Sequence, residues 1–421
     1  MRQLLFLLVL ITWSGLHAQV GVNTTFPDPS SAMDIKSNDK GLLIPRMDAD
    51  QRNAINLPAN GLMIYQNDNQ PGFYYNAGSP ATPQWVAMLS GPPGSSAIYK
   101  IPISQLPFTI TQSGSYILTQ NLTGSNGITI QANNVSIDLN FSSLTGSPGN
   151  TASGITISGS RTGVTVYNGY VQGWGEDGIS AATANSFVGL NLQLLNNGGD
   201  GLVCGNECTL SQCHALSNGL DGLDVGNQSR VSDCTTGNNL DTGIECDSRC
   251  HIQHCVTSAN GDQGLFTGAE CIITEVNAYQ NIHYGIRTGN HNQVNHCLAS
   301  FNGFSGFYLS NASMAQNNLA KLNTQHGFEA GQDVVMKQNT ADSNTGNGFF
   351  SSFNGGKLQD NNSSDNAIGY EITGSDWLIT TNTASGNIVN SFSISGTNKL
   401  ATILTAANLN TNTNPFANIS F

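Results

Sequence analysis

Charge is scarce in this chain. Of 421 residues only 10% are charged, and Lys and Arg together number 14. With 27 acidic residues the net charge is −13, so no basic face exists to neutralise phosphates and a nucleic-acid partner is not expected. Helix-forming composition is missing too: Gly occupies 47 positions and Asn is abundant, which argues against a helical protein. Beyond residue 18 there is no long apolar run, so no transmembrane segment is expected. The single triplet Gly91-Pro92-Pro93 cannot build a collagen helix, which needs a sustained period.

The first 18 residues form a signal-peptide pattern, with Arg2 at the positive end, an apolar stretch from Leu4 to Ile11, and Leu16-His17-Ala18 as the cleavage site. No Cys follows that site, so a lipid anchor is not indicated and the chain reads as secreted or held at the cell surface. From Gly201 to Gly369 a Gly followed by a large apolar residue recurs every 21 positions, as in Gly222-Leu223, Gly243-Ile244 and Gly264-Leu265. Looser copies begin at Gly127, Gly154, Gly178 and Ser391. A fixed period of this length predicts a solenoid of stacked β-coils, about thirteen of them.

Position in the repeat assigns each residue a direction. The residue after Gly is always large and apolar, so it faces inward and the next one outward. Asn218, Asn239, Asn260, Asn281, Asn302, Asn323 and Asn344, then Asp365, stand seventeen after Gly. Asn tolerates the left-handed backbone of a tight turn, and stacked amides hydrogen-bond from coil to coil; the role is architectural. Nine cysteines in an exported protein invite disulfides. They fall instead in repeated columns three, seven and twelve after Gly, where buried Cys acts as a small hydrophobe. The sets Cys204/Cys208/Cys213 and Cys246/Cys250/Cys255 imitate metal clusters but are expected on different walls of the coil.

Two resemblances follow from particular residues. Residues 19–90, with Val20-Gly21-Val22-Asn23, Lys40-Gly41-Leu42-Leu43-Ile44-Pro45-Arg46, Gly61-Leu62-Met63-Ile64-Tyr65 and Trp85-Val86, resemble an N-terminal module of secreted proteins from Bacteroidetes-type bacteria. That resemblance implies attachment or oligomerisation, as in a homotrimer through 19–90. The Gly column, Asn ladder and stacked aromatics, with Leu106-Pro107-Phe108-Thr109-Ile110, Val135-Ser136-Ile137-Asp138-Leu139-Asn140 and Gly173-Trp174, resemble right-handed parallel β-helix proteins of the pectate-lyase-like superfamily. It implies an all-β, single-stranded right-handed parallel β-helix over 101–400, with 91–100 as a linker, 101–126 capping the first coil and 401–421 capping the last. The superfamily includes lyases, hydrolases, epimerases, carbohydrate-binding proteins and phage tailspikes. The Asn-Thr-Asp, Asp-Asp and Gly-His-Gly pattern of polygalacturonases is missing here, as is the Asp-Pro-His of alginate epimerases.

The outward column two after Gly reads Val203, Asp224, Glu245, Phe266, Arg287, Tyr308, Glu329, Phe350, Glu371. On the turn before each strand stand Asp177, Asp200, Asp221, Asp241, Asp262 and His283. Acids, Arg, His and aromatics converge on this face, the combination that grips polysaccharide. Asp224 and Glu245 on adjacent coils are spaced as a retaining carboxylate pair. Asp200, Asp221, Asp224 and Asp241 can alternatively hold Ca²⁺ through oxygen ligands, with Arg287 or His283 assisting a lyase-type proton abstraction. The bland alternative is a solvated polar surface. A second outward column, Asp233, His254, Glu275 and His296, offers alternating ligands for a divalent metal, or a ladder of complementary charge. The expected partner is a polysaccharide or cell-surface glycan, engaged by the trough or cleaved there, with no certain cofactor. The rival is a non-catalytic adhesive or tailspike-like shaft.

Overall fold

A computed structural model describes residues 19–69, 71–88, 100–411 and 413–421. The export segment at 1–18 and all but Lys100 of the linker at 91–100 lie outside them. The chain divides into two units, 1–97 and 98–421.

In the first unit, β1 (Val20–Val22) and β2 (Met33–Ile35) form a two-stranded parallel sheet. β3 (Arg46–Met47), β4 (Met63–Gln66), β5 (Gly72–Asn76) and β6 (Trp85–Met88) form a second sheet in that order. Helix α1 (Ala49–Asn53) follows a reciprocal cap: Asp48 Oδ1 accepts from Gln51 N at 2.8 Å, and Gln51 Oε1 accepts from Asp48 N at 3.0 Å. From its last turn Arg52 donates to the buried Gln66 and lies 4.9 Å over the Tyr74 ring, which closes one face of this sheet.

The second unit is an all-β parallel solenoid. A coil contributes three short strands, for example Ile244–Cys246, His251–Gln253 and Val256–Ser258, each in parallel register with the coil 21 residues on. One sheet stacks fourteen strands, from Phe108–Ile110 to Asn390–Ile394, and the other two walls merge into a 28-stranded sheet. The coil count therefore exceeds the thirteen repeat starts. Phe108–Ile110, expected within a cap, pairs in register with Ile128–Ile130 and is a coil strand. At the far end Asn418–Ser420 pairs with Thr383–Ser385 and with Ile403–Thr405.

Coil spacing near ~4.8 Å puts like residues face to face. Phe307, Phe328, Phe349, Tyr370 and Phe392 form one run of parallel rings, 4.7 to 4.9 Å apart and within 9° of coplanar. The repeat Gly is required by space. None of Gly201 to Gly369 has positive φ in the repeat column, yet a Cβ on Gly285 would lie 2.6 Å from Asn302 Nδ2, 2.7 Å from Gly306 O and 2.8 Å from Ala299 Cβ. The third wall accordingly turns only small residues inward at this point, such as Ala278, Ala299 and Ala320.

The Asn ladder is present, with two corrections. Its residues are not the left-handed ones. Those are the residues before them, such as Asn238, Ala259 and Gln280, with φ 53°, 53° and 58°. Each ladder carbonyl instead accepts both the amide and the backbone N–H of the Asn one coil earlier, as from Asn218 to Asn239 at 2.9 and 3.0 Å. Nor is Asp365 a rung; Asn344 donates to Asn366 at 2.9 Å. An extra residue near Gly355-Gly356 shifts the ladder, and a missing one before Gly369 restores the 21-residue count. A second ladder, Asn318, Asn339, Asn361, Asn382 and Asn418, runs along another corner.

All nine cysteines are buried and free. Seven of them, all but Cys204 and Cys246, occupy corner rungs that Asn fills elsewhere: Val276 N donates to Cys297 Sγ at 3.5 Å, and Cys297 N to Asn318 Oδ1 at 2.8 Å. As expected, Cys204 and Cys246 lie in strands of the fourteen-stranded sheet, whereas Cys208, Cys213, Cys250 and Cys255 stand at the turns that precede the other walls.

Candidate functional site

The fourteen-stranded sheet turns its middle residues outward, so register alone aligns Asp224 with Glu245, Glu245 with Phe266, Phe266 with Arg287, Arg287 with Tyr308 and Tyr308 with Glu329. A second row faces this one across the Gly floor. It consists of the residues just before each Gly, including Asp200, Asp221, Tyr284, Ser305, His326 and Asn347. Bonds across the floor define the pairing: Ser305 Oγ donates to Glu329 Oε2 at 3.1 Å, and Asn347 Nδ2 to Glu371 Oε2 at 2.5 Å. The result is a groove with Gly at its base and two rims of side chains. Asp200 and Asp221 of this second rim were expected on the face, but Tyr284, Ser305, His326 and Asn347 escaped the sequence, because the turn and not period-2 alternation aims the residue before Gly.

The turn residues grouped in the sequence fall into two columns. Asp177, Asp200 and Asp221 form a carboxylate ladder in which Asp200 Oδ1 accepts from Asp221 N at 2.8 Å and Asp221 Oδ1 from Thr242 N at 2.7 Å. Asp241, Asp262 and His283 lie one residue further from the groove, linked by backbone bonds from coil to coil. Asp262 also bonds the His283 ring, which sits edge-on to Phe304 at 4.7 Å.

Groove chemistry changes along its length. At one end the carboxyls crowd. Burial, then the negative charge of Asp200 and Glu245, pushes Asp221 up to about 8. Burial lifts Asp200 and Asp224 to about 6, with further pressure from neighbouring acids, and Glu245 rises for the same reasons. Asp221 is therefore a carboxylic acid at neutral pH, able to donate a hydrogen bond from one oxygen while the other caps Thr242. A depression of about 390 Å³ opens beside Asp224, lined also by Thr183, Asn206 and Asp247.

Two coils past Glu245 the character reverses. Arg287 lies over three rings: Phe266 at 5.5 Å, Tyr308 at 5.7 Å and Tyr284 at 5.8 Å. Tyr284 packs on Tyr308 with centroids 5.5 Å apart, and Glu329 beyond them is held above its usual range by burial. Of the expected catalytic trio, Asp224 and Glu245 are neighbours; Arg287, at ~9.6 Å from Glu245 by coil spacing, belongs to the aromatic stretch instead.

Asp233, His254, Glu275 and His296 take the left-handed corner positions, with φ of 53° to 56°. His254 contacts Glu275 at 3.1 Å and Asp233 at 3.7 Å, all three being well exposed. Among the described residues no group of three or more His, Cys, Asp or Glu is arranged to hold a metal ion, and no helix is long and apolar enough to cross a membrane.

Fold and groove together define a parallel β-solenoid with one long, chemically graded face. A family model described as a phage tail like trimerisation region matches residues 21–100. No curated protein matches the chain. Among solved structures, the periplasmic alginate epimerase AlgG is similar, with a TM-score of 0.46 and 12% identity, covering 71% of this chain and 77% of that one. The catalytic domain of a GH87 alpha-1,3-glucanase shows a TM-score of 0.43 and 12% identity over 71% of both chains. Dettilon tailspike protein shows a TM-score of 0.43 and 11% identity, over 65% of this chain and 61% of that one.

Proposed function

We propose that this is an exported protein that engages extracellular polysaccharide through the groove between Asp200 and Glu329, carried by an N-terminal attachment module at 19–90. One observation carries the reading. Two facing rims place a row of carboxyls raised by burial, Asp221 to about 8, in line with an Arg held among three aromatic rings further along the groove. Aromatic faces stack on sugar rings, Arg pairs with hydroxyls or acidic substituents, and protonated or ionised carboxyls donate to or accept from hydroxyls. The groove runs along the solenoid axis, and repeating coils suit a repeating polymer. If the groove also cleaves, Asp224 and Glu245 are the pair to carry it, with Asp221 as a proton donor across the floor.

The second reading, a non-catalytic adhesive or tailspike-like shaft, is favoured by the trimerisation match over 21–100. Incubation of the purified chain with acidic and neutral polysaccharides, followed by mass spectrometry of products, separates the two. Oligosaccharides that vanish in Asp224→Asn and Glu245→Gln establish cleavage; intact polymers throughout leave binding or a shaft.

A further inference from the structure

The β3–β6 sheet of the first unit has two unlike faces. One is closed by α1 and Arg52 over Tyr74, with Ile64 at 1% exposure and Asn76 fully buried. The antiparallel register puts on the other face two rows, Met63–Tyr75–Val86 and Tyr65–Phe73–Met88. Every one of these six side chains is apolar or aromatic. Met63, Phe73, Val86 and Met88 are 42%, 45%, 41% and 47% exposed, and Tyr65 meets Phe73 edge-on at 5.2 Å. An apolar depression of about 310 Å³ continues the surface past Tyr65 and Phe73 to Leu42 and Leu43, themselves 67% and 72% exposed. A half-covered antiparallel sheet in water alternates apolar inside with polar outside; this one is apolar on its uncovered face. The β1–β2 ribbon repeats the anomaly. Its Val20, Met33, Val22 and Ile35 are 40% to 57% exposed, and a two-stranded sheet is marginal without cover. Contiguous exposed apolar surface of this kind marks an interface.

We infer that the face bearing Met63, Tyr65, Phe73, Tyr75, Val86 and Met88 is the surface through which three copies of this chain associate. The occupant follows from the match of 21–100 to a trimerisation region, so the inference rests on the oligomerising role given to this module above. No charged residue interrupts the six-residue patch, and Arg46, paired with Tyr65 on the neighbouring strand, borders it. That is the composition of an interface core rimmed by polar groups.

The test is the mass in solution of the purified chain, by light scattering, for wild type and for Phe73→Glu/Val86→Glu, together with the rate at which peroxide oxidises Met63 and Met88. Three chains per particle are expected for wild type and one for the variant, with the solenoid melting transition unchanged. The two methionines should oxidise at least tenfold more slowly in the trimer than in the dissociated variant. Trimeric wild type with a trimeric variant overturns the assignment of this face while leaving oligomerisation intact. Monomeric wild type overturns both; slow methionine oxidation in that monomer would show that another part of the same chain covers the face. Should the variant fail to fold, fast oxidation of both methionines in a trimeric wild type overturns the inference by itself.

Discussion

Replacing Asn260 by Gly separates two explanations of the Asn ladder. Were this residue left-handed, Gly would be harmless there or helpful. Asn260 is instead a fully buried rung. Its Oδ1 accepts from Asn239 Nδ2 at 3.0 Å and from Asn239 N at 3.2 Å, and its Nδ2 donates to Asn281 Oδ1 at 3.0 Å. Truncation leaves the Asn239 backbone N–H buried with no acceptor, whereas its side-chain amide keeps Ala215 O at 3.0 Å. One orphaned buried donor, a lost amide bond and a freer backbone sum to about 2–4 kcal/mol of destabilisation. The residue just before it behaves oppositely. Ala259 has φ 53°, and relief of left-handed strain, ~1–2 kcal/mol, outweighs the entropy Gly adds to the unfolded chain, so Ala259→Gly should gain about 0.5–1 kcal/mol. Urea unfolding followed by far-ultraviolet circular dichroism reads both, with midpoints compared at matched slopes because a solenoid can unfold in segments. Opposite signs at adjacent positions are required. A near-neutral Asn260→Gly, or a destabilising Ala259→Gly, would refute the hydrogen-bond account.

Three further outcomes are expected. Phe328→Ala opens a gap between rings 4.7 and 4.9 Å away and should cost about 3–5 kcal/mol; a thermal-unfolding loss under ~1 kcal/mol would mean that the stack contributes little beyond its area. Between pH 5 and 8 the folded chain keeps the Asp221 proton that the unfolded chain releases above about 4, so stability falls as pH rises across that window. Asp221→Asn preserves the acceptor for Thr242 N and should flatten the decline in melting temperature; an identical pH profile would place the burden elsewhere. Arg287→Lys retains charge but loses the planar contact with three rings and should weaken glycan binding about 2- to 5-fold, given ~0.5–1 kcal/mol for an exposed cation–π contact; unchanged affinity in titration calorimetry would remove Arg287 from the groove.

The solenoid was legible because stacking at one coil per repeat turns each sequence column into a physical contact, so Gly, the large apolar residue after it, and the outward residue after that could be assigned by counting. Counting failed where geometry is set by turns. Asn is favoured both in left-handed corners and in amide ladders, so Asn239 and its kin read ambiguously. The insertion near Gly355-Gly356 cancels against the deletion before Gly369, so Asp365 took the place that belongs to Asn366. Tyr284, Ser305 and His326 each precede a repeat Gly, and only the cross-floor bond from Ser305 to Glu329 reveals that this position forms a rim. The upward shifts of Asp221 and Asp224 arise from burial by stacked neighbours, which spacing alone does not measure.

The central claim is that sugar polymer lies along this groove. Affinity electrophoresis through gels containing a panel of acidic and neutral polysaccharides tests it, with wild type run beside Tyr284→Ala/Tyr308→Ala, whose rings pack together on Arg287. The account predicts retardation of wild type by at least one polysaccharide and a tenfold or greater loss of that affinity in the double variant. Equal retardation of the two proteins, or none with any polysaccharide, would contradict it.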